Sequence, residues 1–337
     1  MPNWNEQLAP DEDVRFNQYA AELRAIQAAR PKTPEGPGRA LHTKPHVGVV
    51  GELRVNPLQA PLNQGPFATP GTFPLYVRFS NGTFGRQHDG VPDVRGVALK
   101  LVGVPGKKLI PGLEDKQTQD LLLIQNKAFG MKGPDEFMKL VRIAVKGKAL
   151  LVPRLLAAFG LVGGFKLIKG IASMPKVPSM ATGTFYTCVP HRYGEDACKL
   201  SIVPLQPPAP PPAKGYASLR DDLVARFKTG PLEWSLRVQL FLDEATTPLE
   251  DASVEWPEDK SPFREIGRVV IPLQDVTSAR GQEIEALVES LSFDPWHSVE
   301  ALRPLGAVMR ARSAAYREST MERKAAAEPE TVLAPGG

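Results

Sequence analysis

The stretch Val94-Arg95-Gly96-Val97-Ala98-Leu99-Lys100-Leu101-Val102 is a largely apolar, alternating run closed by Gly103. That is the pattern of a β-strand with one face buried. Comparable runs lie at 47–55, 75–80 and 120–124, separated by Gly, Pro and Asn clusters. Short strands at such close spacing predict a barrel or a sandwich. Further strands are expected at 183–189, 199–205, 235–242 and 269–273.

Helical patterns occupy 11–29, 137–148 and 219–228, and also 298–324 apart from Pro304. A further one at 150–169 is interrupted by Pro153 and Gly163-Gly164. In the first, Val14, Ala21, Leu23 and Ile26 fall near one face, so it should pack on the outside of the core. The tract from Pro207 to Pro212 reads as a stiff exposed connection. The predicted architecture is α+β, an antiparallel β core with flanking helices. It divides into an N-terminal helix and loop (1–38), one domain (39–324) and an Ala-, Glu- and Pro-rich tail (325–337) expected to be disordered.

The 337 residues, 42% hydrophobic and 23% charged, suffice for a sizeable core. The net charge of +4 comes from scattered basic residues, so nucleic acid is not an expected partner. Two cysteines, Cys188 and Cys198, are too few for a disulfide framework, although they flank a turn and could pair across a hairpin. The N-terminus is polar and has no apolar leader, which makes a cytoplasmic location the expectation. The most apolar region, 149–174, is broken by Pro153, Arg154, Lys166 and Lys169. Its longest uncharged run, 155–165, falls short of the roughly 20 residues of a membrane span. It reads either as a core helix packed on the barrel, or as a lipophilic entrance or weak contact with a membrane surface or lipid.

The five histidines, His42, His46, His88, His191 and His297, show no metal-binding spacing. No phosphate loop or nucleophile elbow is present. Arg312 and Tyr316 are four apart on a predicted helix and share a face. A guanidinium against a phenol favours the phenolate. Read alone, the pair is better taken as a surface contact worth a few tenths of a kcal/mol.

Four stretches, in order, resemble the haem catalases. The first is Arg39-Ala40-Leu41-His42-Thr43-Lys44-Pro45-His46. The second is Val77-Arg78-Phe79-Ser80 with Asp93-Val94-Arg95-Gly96-Val97-Ala98-Leu99-Lys100. The third runs over 234–269 and includes Val254-Glu255-Trp256-Pro257 and Ile266-Gly267-Arg268-Val269. The fourth is Phe293-Asp294-Pro295, then Arg312-Ser313-Ala314-Ala315-Tyr316 and Arg323. The resemblance covers about 39–323. It implies a catalase-like antiparallel β-barrel and a haem b whose iron is ligated by Tyr316, with Arg312 beside it.

By the same resemblance, His42 is the distal acid–base residue and Ser80 fixes its tautomer. Arg39, Arg78 and Arg323 hold the propionates, for which a planar guanidinium is suited. His46 has the strand parity of His42 and is read as a rim or surface residue. Peroxide and a small organic electron donor are the implied partners, with a homodimer as the expected assembly.

Two departures bear on activity. Aligning the strand 121–126 places Thr118 where catalases carry a distal asparagine, which favours a peroxidase with weak catalase activity over a true catalase. The chain also stops soon after the helix bearing Tyr316. A second reading within the fold is a fatty-acid hydroperoxide lyase or dehydratase similar to the catalase-related allene oxide synthases. Those place threonine before the distal histidine, where this chain has Leu41. A third is a haem-storage protein without turnover.

Overall fold

The computed structural model describes residues 4–29, 38–83, 87–147, 150–172, 177–207 and 218–336. Apart from Pro207, the proline tract lies outside the described residues. The strands are β1 (Lys44–Val55), β2 (Gly71–Asn81), β3 (Arg95–Val102), β4 (Thr118–Ile124), β5 (Phe185–Tyr186), β6 (His191–Tyr193), β7 (Asp196–Pro204), β8 (Leu232–Leu240) and β9 (Arg264–Ile271). They pair antiparallel in the order β5-β4-β3-β2-β1-β9-β8-β7, and β5 also pairs β7, which closes an eight-stranded barrel. Strand β6 adds a short hairpin on β7. Cys188 and Cys198 are both buried free thiols, so the hairpin disulfide does not form.

Alternation sorts each strand into an inner and an outer face. Val47, Val49, Leu53, Leu75, Val77, Phe79, Val97, Leu99, Leu121 and Leu123 fill the barrel with Trp234 and Phe227. The intervening residues of β1 to β4 face outward: Val50 and Tyr76 pack under a second apolar layer, and Arg78, Ser80 and Lys100 are buried there too. The barrel wall is therefore covered from outside, and that cover builds the site.

The cover consists of helices. α1 (Glu12–Ala28) and α2 (Pro134–Ala144) pack against α6 (Ala307–Arg323). The buried face of α1 is Phe16, Tyr19, Ala20 and Leu23, while Val14 is exposed. A helix absent from the sequence reading, α5 (Ala279–Ser290), lies on β1 and β2. Its approach is so close that a Cβ on Gly48 would lie 2.6 Å from Val288 Cβ. The remaining helices are α3 (Leu151–Ala172) and α4 (Leu219–Phe227).

Two expectations need correction. The tail from 325, expected to be disordered, is docked. Ala326 N donates to Ser290 O, Val332 and Leu333 join the outer apolar layer, and Tyr76 Oη donates to Thr331 O. Glu328 is buried and accepts from Lys100 Nζ and Thr118 Oγ1, each at 2.7 Å. The other correction concerns α3, which is not a core helix: only 11% of Leu151–Gly170 is buried, and by length and composition it could cross a membrane.

Burial also makes the fold acid-sensitive. His46, His191 and His297 are at most 2% exposed, and burial pushes them down to about 4, 3 and 3. In the unfolded chain each titrates near ~6.5. Below that pH the unfolded state binds more protons, so stability is full above about 6.5 and falls as pH drops towards the folded values. Three such groups give a slope of about 4 kcal/mol per pH unit. Urea titrations between pH 7 and pH 4.5 should show the denaturation midpoint collapsing over this window.

Candidate functional site

His42 precedes β1 and holds a left-handed backbone, φ 54°, unusual for a residue with a side chain. Its N–H donates to Gly82 O at 3.1 Å, and its carbonyl accepts from Arg78 Nη2 at 2.9 Å. Its Nδ1 lies 3.0 Å from Ser80 Oγ. With Nδ1–H as donor to Ser80, Nε2 is the basic nitrogen. Burial, then the charges of Arg78, Arg312 and Arg39, push His42 down to about 3, so it is neutral and able to accept a proton at ordinary pH. Its ring rests on Gly96, where a Cβ would come within 2.5 Å of His42 Cε1. Gly96→Ala is therefore expected to tilt the imidazole and lower turnover at least tenfold with the fold intact, read by steady-state kinetics beside circular dichroism.

Three guanidiniums gather at the C-terminal end of α5. Arg39 Nη1 meets Glu289 Oε1 at 2.5 Å, and Arg78 Nε meets Glu289 Oε2 at 2.8 Å. Arg39 Nη2 and Arg323 Nη2 donate to Leu291 O at 2.8 and 3.1 Å. A helix C-terminus favours cations, and Leu291 O at the end of α5 accepts from two of them. Burial and the repulsion of Arg78 and Arg323 nevertheless hold Arg39 well below its ordinary value. Arg323 is pushed down to about 10, chiefly by burial. The cluster is short of negative charge.

On α6, Arg312 Nη2 donates to Tyr316 Oη at 2.8 Å. Burial opposes the Arg312 charge, but Tyr316, Cys188 and Asp294 more than offset it and hold the guanidinium above its ordinary value. The Tyr316 oxygen is thus an acceptor for a fixed cation. Arg312 acts electrostatically on His42, and Tyr316 on Arg39, so the helical pair, the arginine cluster and the histidine form one site.

The structure separates Thr118 from it. Gly96, under His42, pairs with Ile124 at the far end of β4, while Thr118 pairs with Val102 and is hydrogen-bonded to Glu328. Six residues of strand, about 20 Å, lie between them. The residues that end β4 beside Gly96 are Gln125 and Asn126. Gln125 N donates to Arg95 O at 3.1 Å. Asn126 Oδ1 is buried without a hydrogen-bond partner among the described residues. Asn126 was missed because the alignment slid along β4, and only the register from Gly96 locates it.

His46 is also misplaced by the sequence reading. A bulge between Pro45 and Val47 breaks the parity, and His46 is buried with Nε2 2.7 Å from Asn81 Oδ1. His191, near Arg312, is buried with both ring nitrogens unpartnered among the described residues. No sequence signal marked it.

These residues fit a haem. The phenol oxygen held by a guanidinium is of the type that ligates iron, the three arginines around Glu289 supply a positively charged cradle, and the absent side chain at Gly96 leaves the histidine ring room. Among the described residues no cluster of His, Cys, Asp and Glu could itself hold a metal ion.

No family model matches the chain. A catalase-related peroxidase of Mycolicibacterium paratuberculosis is 27% identical over 317 residues, spanning 88% of this chain and 92% of that protein. A fungal catalase matches with a TM-score of 0.62 at 16% identity, over 95% of this chain and 64% of its own. A bacterial catalase gives 0.62 at 15%, over 96% and 63%. Catalase A of Saccharomyces cerevisiae gives 0.58 at 15%, over 95% and 66%. The chain thus spans less than two thirds of the first two catalases. Its barrel has the catalase fold, and its sequence is similar to that of a catalase-related peroxidase.

Proposed function

We propose that the chain binds haem b through Tyr316 and reduces hydrogen peroxide or organic hydroperoxides at the expense of a small organic electron donor. The Arg312–Tyr316 contact carries this reading, because it gives a half-buried phenol oxygen the charge environment of an iron ligand. Arg39, Arg78 and Arg323 would hold the two propionates and receive the anionic charge their cluster lacks. When bound, haem supplies the redox chemistry that takes electrons from the donor and delivers them to the O–O bond.

The chain's own residues manage the protons. Neutral His42 Nε2 accepts the proton of the proximal peroxide oxygen and returns it to the distal one, which leaves as water or an alcohol. Ser80, accepting from Nδ1–H, keeps Nε2 as the acceptor. Arg78 pins the His42 carbonyl and so the unusual backbone that aims the ring. In this reading Asn126, which follows the end of β4 that pairs with Gly96, would offer its amide N–H to the departing oxygen.

Thr118 no longer argues against catalase activity, since it lies far from His42. The peroxidase emphasis draws its support from the catalase-related peroxidase of M. paratuberculosis, and Asn126 favours a true catalase as the second reading. The haem-loaded protein should be assayed in parallel for donor oxidation and for oxygen release from hydrogen peroxide. Donor oxidation faster than oxygen release is expected. Oxygen release that outruns it would replace peroxidase with catalase.

A further inference from the structure

The helix α3 is not one rod. Gly160 has φ 70° and ψ 170°, which breaks the helix into two arms. The arms fold back on each other: a Cβ on Gly164 would sit 2.9 Å from Leu156 Cα, though the two are eight residues apart and a straight helix would separate them by about 12 Å. The base packs on α2. The tip carries Leu161, Val162 and Phe165, exposed by 70%, 85% and 62%. Three neighbouring exposed apolar side chains on one projecting element mark a contact surface.

Charge indicates what the surface meets. Between Glu136 and Glu195 the sequence has no Asp or Glu, but it has Lys139, Arg142, Lys146, Lys148, Arg154, Lys166, Lys169, Lys176 and Arg192. Those nine positive charges compare with a net +4 for the whole chain, so the remainder of the molecule is net negative. Six of them, from Lys146 to Lys176, fall within or next to 151–172 in the sequence. Basic residues around an apolar projection are the composition of an element that enters an anionic lipid interface.

From this we infer that the finger of α3 docks the protein on a membrane surface bearing acidic headgroups, with Leu161, Val162 and Phe165 inserted among the acyl chains. The arms, 151–159 and 161–172, are about 14 and 18 Å long, each well short of the ~30 Å hydrocarbon core. The finger can enter one leaflet and cannot cross both. A second copy of the chain is a poor occupant, because two such fingers would bring like charges together.

Sedimentation of the full-length protein with vesicles tests this. Vesicles of phosphatidylcholine with phosphatidylglycerol should carry the protein down, and vesicles of phosphatidylcholine alone should not. Lys166→Gln with Lys169→Gln should weaken binding about thirtyfold. Leu161→Asp with Val162→Asp should abolish it, with the circular dichroism unchanged because both side chains face solvent. Equal binding to both vesicle types, no binding to either, or full binding by the tip variant would overturn the inference. So would a dimer in solution that the tip substitutions dissociate, since it would make the finger a contact between copies.

Discussion

Replacing His42 by alanine is expected to slow the reaction with peroxide by about 10²- to 10⁴-fold while haem remains bound. The separation follows from the geometry. The His42 ring meets Ser80 and Gly96, and its contact with Arg78 is through the backbone carbonyl, which alanine retains, so the proposed haem anchors Arg39, Arg78, Tyr316 and Arg323 are left in place. The loss should appear in the bimolecular reaction with peroxide, measured by stopped-flow absorbance of the haem-loaded variant. His42→Gln, which can donate but cannot cycle a proton near neutral pH, should be nearly as slow. A variant that reacts within threefold of the parent would remove His42 from proton transfer.

The largest expected effect on stability is at Glu328. Lys100 and Asp120 are fully buried and Glu328 nearly so. Glu328 accepts from Lys100 and Thr118, and its other oxygen lies 3.2 Å from His297 Nε2. Burial opposes its charge, but Lys100 and His297 hold its carboxyl below the ordinary range. Glu328→Ala leaves a buried ammonium with one carboxylate fewer, which typically costs about 3–5 kcal/mol. The same change should release the tail, because Glu328 ties residues 325–336 to the barrel. Glu328→Gln should cost less, since its amide oxygen can still accept from Lys100 and Thr118. Urea denaturation separates the two variants, and an alanine variant within 1 kcal/mol of the parent would contradict the account.

The barrel was legible in the sequence because alternation is local: residues 97, 99 and 101 announce an inner face without knowing their neighbours. The helical site pair was legible for the same reason, since Arg312 and Tyr316 lie one turn apart. What the sequence hid depends on distant partners. Helix α5 has Ile284, Leu287, Val288 and Leu291 at helical spacing and a Ser278 cap, yet Gly281 reads as a breaker. In the fold that glycine admits the backbone of residues 275–276, where a Cβ would lie 2.2 Å from Asp275 O. Missing α5 meant missing Glu289, the carboxylate that organises the arginines. The tail reads as a frayed end because Glu328 finds Lys100 and His297 only across the fold. Thr118 and Asn126 were confused because the register of β4 against β3 is a property of the sheet.

The account's central claim is that the Tyr316 oxygen is the iron ligand. Absorption spectra of the haem-loaded protein and of Tyr316→Phe, compared in the ferric state, address it most directly. The account predicts a phenolate-ligated ferric haem in the parent, with that signature lost and haem retention weakened in the variant. A variant that retains haem with an unchanged spectrum would contradict the assignment and leave the Arg312–Tyr316 pair a structural contact.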